Sequence, residues 1–236
     1  MSRPTVEVAD ILRAQGSRFC EQHRTWLSFQ QLKVIRAITG CRTAALGGHI
    51  DVCTGCGYET GISYNSCRNR HCPKCQAQAR QRWLEAREQE LLETSYFHVV
   101  FTIPHQLNDL AAKNPRILYN LLFAASAATL REVAADPKHL GARIGFSSVL
   151  HTWGQNLRHH PHIHCVIPAG GLAPDHSHWI RPRYPFFLPV KVLSRVFRGK
   201  FLAGLKLAHQ NGALDVPAAT GPRADAEAFQ TLLDEL

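Results

Sequence analysis

Apolar and polar positions along the chain change period several times, and each change predicts an element. A short helix is predicted from Thr5 to Ala14. A second is predicted from about Thr25 to Thr39, where Leu27, Val34, Ile35 and Ile38 form one stripe and Gly40 is a stop signal. Gly57 to Tyr64 alternates like a small hairpin, and Gln76 to Glu93 is a charged helix with Trp83, Leu84, Leu91 and Leu92 as its apolar face. Beyond this the strand signal strengthens. Tyr96 to Ile103 reads as a strand closed by Pro104, followed by a helix from Asn114-Pro115 to about Val133. Ile144 to Leu150 and His162 to Ile167 read as further strands, and Val190 to His209 as a basic helix. Pro217 to Pro222 is a linker-like break before a short acidic helix. The class is α+β, with a helical, cysteine-bearing part over 1–94 and a mixed part over 95–236.

Charge sharpens this picture. The chain of 236 residues carries a formal charge of +9, which favours polyanionic partners. From Cys67 to Arg87 the basic residues Arg68, Arg70, Lys74, Arg80, Arg82 and Arg87 face only Glu85. From Arg181 to Lys206 there is no acid at all, while Arg195, Arg198 and Lys200 lie on one helix. DNA is therefore the expected partner, with Arg68, Arg70, Lys74, Arg80, Arg82, Arg195, Arg198 and Lys200 as candidate phosphate contacts. A membrane is not expected, because the apolar stretch around Leu121 to Leu130 is too short to span one. The absence of a signal-peptide core points to the cytoplasm.

Cysteine and histidine are clustered. Five of the eight cysteines fall between Cys53 and Cys75. Cys53-Thr-Gly-Cys56 and Cys72-Pro-Lys-Cys75 are two C-x-x-C knuckles with fifteen residues between them, a spacing that suits tetrahedral zinc. Cys67, His49 and His71 are further candidates, whereas Cys20, Cys41 and Cys165 read as small buried hydrophobes. A redox pair or an iron–sulfur centre is the rival reading of these thiols. Farther on, His162-Ile163-His164 sits on a predicted strand, so both imidazoles share one face. His151 is a candidate third ligand. Three imidazoles holding one divalent ion suit phosphodiester cleavage, for which a tyrosine nucleophile is the covalent route.

These residues resemble a known family. Cys53-x-x-Cys56 with Ser66-Cys67-Arg68-Asn69-Arg70-His71-Cys72-Pro73-Lys74-Cys75 is similar to the zinc domain of the rolling-circle transposases of the IS-ninety-one type. His151-Thr152-Trp153-Gly154-Gln155-Asn156 with His160-Pro161-His162-Ile163-His164 is similar to their HUH nuclease motif. The resemblance implies a zinc-ribbon-like module with flanking helices, then a ferredoxin-like core with an antiparallel sheet. It implies a structural Zn2+, Mg2+ or Mn2+ at His162 and His164, and cleavage and rejoining of single strands at element ends. In the family the catalytic tyrosine lies on a helix beyond the basic segment. Here the last tyrosine is Tyr184, between Arg183 and Pro185, a weak candidate. The chain is therefore expected to be a truncated form without its nucleophile. An inert zinc DNA-binding fragment and a plasmid relaxase or replication initiator are the alternatives.

Overall fold

The structure, a computed structural model, describes residues 5–156, 158–216, 229–231 and 233. It divides into two compact units, Met1–Leu91 and Leu92–Leu236.

In the first unit, α1 (Val8–Gln22) packs on α2 (Phe29–Gly40). Helix α1 runs past the expected end at Ala14, because it continues through Gly16, which is buried beside Ile35. Helix α2 opens later than its apolar stripe suggests. Ser28 caps it, and the Gln31 side chain bonds back to the Ser28 N–H, so two of the free N–H groups of the first turn are satisfied together. Strand β1 (Gly48–His49) pairs with β2 (Ser63–Tyr64), and Val52 bridges to Glu59. The hairpin is thus wider than the expected Gly57–Tyr64 segment. Its turn is the first cysteine knuckle, closed by Cys53 N–H to Tyr58 O at 2.8 Å, with Gly57 at φ +69°. Helix α3 (Pro73–Glu88) starts inside the second knuckle, with Cys72 as its cap and Pro73 in its first turn. Among the described residues, the buried hydrophobic cluster of this unit is small: Ala9, Ile38, Cys41 and Cys72, with Leu12, Val34, Cys67 and Cys75 packed against it.

The second unit is a three-stranded antiparallel sheet covered by helices on one face. Strand β3 (Tyr96–Thr102) leads to α4 (Asn108–Lys113) and α5 (Pro115–Ala135), then β4 (Ser147–Trp153) and β5 (His159–Pro168). The strand order is β3-β5-β4, so β5 is central. A small ribbon of β6 (Gly171–Leu172) and β7 (Trp179–Ile180) precedes α6 (Val190–Gln210). On β5, Pro161, Ile163, Cys165 and Ile167 are buried, while His160, His162 and His164 are half-exposed on the other face. Pro161 lacks an N–H for the ladder. The pairing accommodates it by an irregularity, since His151 pairs with His162 but Trp153 pairs with His159.

Helices α4 and α5 cover the apolar face of β5, and α6 packs along α5. Leu193, Phe197, Phe201 and Leu205 form the buried stripe of α6, and Phe197 meets Phe101 of β3 at 4.9 Å between rings. At Gly204 a Cβ would lie 2.3 Å from Leu121, so glycine lets α5 and α6 approach closely. No helix among the described residues is long and apolar enough to cross a membrane. The break at 217–222 lies outside the described residues.

Candidate metal centres

In the first unit, Cys41, Cys67, Cys72 and Cys75 present their sulfurs within 4.8 Å of one another. Cys41 ends α2, Cys67 follows β2, and Cys72 and Cys75 begin α3. The sulfurs of Cys41 and Cys67 each lie 3.5 Å from that of Cys75. Four thiolates around zinc, with bonds of about 2.3 Å, stand about 3.8 Å apart, so this set fits a tetrahedral ion. Burial pushes the Cys67 thiol up to about 12 and raises that of Cys41. Burial opposes the thiolate at Cys75 too. There, bonds from Cys41, Cys67, Cys72 and the Arg68 backbone prevail and bring it down to about 7. A thiol lowered in this way favours the thiolate form that a metal takes.

This grouping differs from the sequence-based one. Cys53 and Cys56 are exposed at the hairpin tip and are not part of the group that Cys72 and Cys75 join. Cys41, expected to be a plain buried residue, supplies a sulfur in their place. Cys67 joins the group, and His71 does not. The His71 ring Nε2 accepts from Arg70 Nε at 3.3 Å, and the His71 backbone N–H donates to Asn69 Oδ1. The signal for Cys41 was its position just past the Gly40 helix stop, a turn capable of aiming a thiol. Cys165 is buried as expected, with Ser148 Oγ 3.3 Å from its sulfur.

The second group is His151, His162 and His164, whose nitrogens also lie within 4.8 Å of one another. The antiparallel register puts His151 directly opposite His162, and alternation places His164 on the same open face. The ring nitrogens are sorted by their partners. His162 Nδ1 lies 2.7 Å from the His160 carbonyl, so it carries the proton and donates, leaving Nε2 as a lone pair. His164 Nδ1 lies 2.7 Å from His98 Nε2, while His164 Nε2 is buried with no hydrogen-bond partner. A buried nitrogen without a partner is costly unless a cation takes its lone pair. That orphan atom and the all-imidazole donor set fit a divalent metal. Burial, and then the neighbouring His151, His162 and His98, hold His164 below the usual histidine range, which keeps it in the neutral, ligating form.

Sequence reasoning missed His98. Its signal was alternation in β3: Phe97, Val99 and Phe101 face the helices, so His98, Val100 and Thr102 share the histidine face.

The candidate phosphate contacts divide. Lys74 is engaged by the Glu7 carboxylate at 2.8 and 2.9 Å, and Lys200 by Glu132 at 2.6 Å, so neither is open to an anion without breaking an ion pair. Arg68, Arg70, Arg80, Arg82, Arg195 and Arg198 are exposed. Arg68 and Arg70 line a groove of about 1010 Å³ together with Lys33, Trp26 and Phe19. Tyr184 is exposed and stacks on Phe186. Tyr119 meets His159 Nε2 at 2.9 Å on the helix-covered side of the sheet, and Tyr96 accepts the Leu92 N–H.

Two family models account for most of the chain. Residues 11–103 match a transposase zinc-binding domain of the IS-ninety-one type, and residues 145–236 match a putative transposase domain. The chain belongs to the transposase family of the IS-ninety-one type. It is 53% identical, over its whole length, to the putative transposase y4qJ of Sinorhizobium fredii, of which it covers 59%. It is 33% identical over 144 residues to the transposase for insertion sequence element IS801 of Pseudomonas savastanoi pv. phaseolicola. That match covers 60% of this chain and 34% of the relative, so the chain spans less than two thirds of either relative. Among solved structures, conjugative relaxase TrwC with oriT DNA aligns in a metal-bound form at 15% identity and TM-score 0.39, over 54% of this chain and 46% of that one. A metal-free TrwC complex aligns at the same identity and TM-score, over 57% and 51%.

Proposed function

We propose that this transposase chain binds single-stranded DNA and presents a scissile phosphodiester to a divalent metal held by His151, His162 and His164. The observation that carries this is the orphaned, buried Nε2 of His164 within a ring of imidazoles on an open sheet face. An Mg2+ or Mn2+ ion bound there supplies Lewis-acid polarisation of a phosphate oxygen. The chain's own residues do the rest. His160 and His98 fix the ring orientations of His162 and His164. Exposed arginines, including Arg195 and Arg198, draw in the phosphate backbone. In the other unit, Zn2+ on Cys41, Cys67, Cys72 and Cys75 supplies the folding energy that so small an apolar core lacks.

For the attacking group, the positions of the tyrosines favour binding without nicking by these 236 residues. Tyr184 is held against Phe186, and Tyr119 lies across the sheet from the histidines. The test is incubation of the purified chain with labelled single-stranded DNA from an element end and Mn2+, followed by a denaturing gel. Binding without a covalent adduct is expected. An adduct lost in Tyr184→Phe would overturn this reading of the nucleophile, and absence of any DNA binding would overturn the whole.

A further inference from the structure

A groove of about 580 Å³ runs beside the edge strand β3, from His98 on the histidine face to the segment before α6. Its far wall is built by Phe186, Phe187 and Leu188. Phe187 and Leu188 are buried, and Phe187 stacks on Phe97 at 5.4 Å, so the segment is anchored to the sheet. The next aromatic outward is left in solvent. Phe186 is 47% exposed and Tyr184 62% exposed, yet their rings lie parallel, 5.3 Å apart with planes 6° from each other. Pro182, Pro185 and Pro189 restrict the backbone that carries them. The two aromatics are therefore a preformed platform whose outer faces meet no part of the core.

The surrounding charge selects the occupant. Arg181, Arg183, Lys191 and Arg195 are exposed in and just after this segment, and no acidic residue occurs from Arg181 to Lys206. Flat aromatic faces interleaved with cations suit a polyanion that carries stacking rings. Such a polyanion is a single-stranded nucleic acid, since duplex bases have no free face.

Resting on the nucleic-acid reading above, we infer that Tyr184 and Phe186 stack unpaired bases, and that the β3 groove leads the strand from this platform to the histidine face. Contact with the platform fixes which phosphate reaches the histidines. It is a binding surface, distinct in kind from the exposed arginines, because its contribution does not depend on salt.

The experiment uses the full chain and fluorescence anisotropy with a labelled oligothymidylate and a duplex of the same length, over a range of salt. Tyr184→Ala with Phe186→Ala is expected to weaken single-strand binding on the order of 10- to 100-fold. The slope of log affinity against log salt is expected to stay that of the wild type, because no phosphate contact is removed. Duplex binding should be unchanged. Phe186→Trp is expected to retain binding, with its emission quenched by the oligonucleotide, which keeps the test valid if the double variant folds poorly. Single-strand affinity unchanged in the double variant, or an unquenched Phe186→Trp, would overturn the inference. Wild-type binding to duplex alone would overturn the inference and leave DNA binding standing. Binding to neither would remove the nucleic-acid reading itself.

Discussion

His98 and His164 are 66 residues apart in sequence, yet their rings meet at 2.7 Å with planes 13° apart, the geometry of an in-plane hydrogen bond. The proton of His164 must lie on Nδ1 if Nε2 is to ligate, so His164 donates and His98 accepts. On the proposed reading His98 is a positioning residue for the metal site. His98→Ala is expected to weaken Mn2+ affinity about 10- to 100-fold, as loss of outer partners of ligating histidines does. His98→Gln, which keeps an acceptor, should recover part of the loss. Calorimetric titration reads both, and unchanged affinity in His98→Ala would remove the assigned role.

The cysteines separate in a second prediction. Zinc content of the purified chain should fall in Cys41→Ser and Cys67→Ser as it does in Cys72→Ser, with a lowered melting temperature, since the metal substitutes for core in this unit. One zinc should remain in Cys53→Ser with Cys56→Ser. The reverse pattern would restore the pairing of the two C-x-x-C knuckles.

Acidity should act on the metal-free chain through His164. Its folded-state affinity for a proton is lowered by burial and by neighbouring imidazoles, so the unfolded chain binds that proton first. Stability from this group is full above the ordinary histidine value of about 6.5 and is lost as pH falls from there through the lowered folded value. Urea unfolding midpoints at successive pH values should decline over that window, and less steeply in His164→Gln. A slope of equal size in both would assign the acid sensitivity elsewhere.

Asn114 ties the segment after α6 to the start of α5. It is buried, donates to the Leu110 and Asp215 carbonyls and accepts the Asp215 N–H at 2.8 Å. Asn114→Ala leaves these backbone groups short of a partner and is expected to cost about 1–3 kcal/mol. Equilibrium unfolding measures it, and a change below about 0.5 kcal/mol would mean that water replaces the side chain.

Much of this architecture was legible in the sequence, and the misses have a common cause. Strand and helix positions in the second unit followed from period, because one face of each element is buried. β4 was shifted by a few residues, since its ends are set by pairing with β5 around Pro161 rather than by its own pattern. The H-x-H pair and His151 were readable because alternation and chain order sufficed. For His98 and Cys41 the local signal gives a face or a turn but not the partners. Each reaches its group through a tertiary path, one across the β3–β5 register and the other from the end of α2, which local spacing does not encode. The C-x-x-C spacing meets the same limit, because a knuckle specifies two candidate ligands and the fold decides which other sulfurs lie beside them.

On the proposed reading the histidine face holds a divalent cation against a DNA phosphate. Pulsed electron paramagnetic resonance on the full chain with Mn2+ tests it most directly. Nitrogen couplings from imidazole should be present, lost in His164→Ala, and joined by a phosphorus coupling when single-stranded DNA is added. Mn2+ without imidazole nitrogen couplings would contradict the metal site, and nitrogen couplings that gain no phosphorus partner with bound DNA would contradict its role toward the phosphodiester.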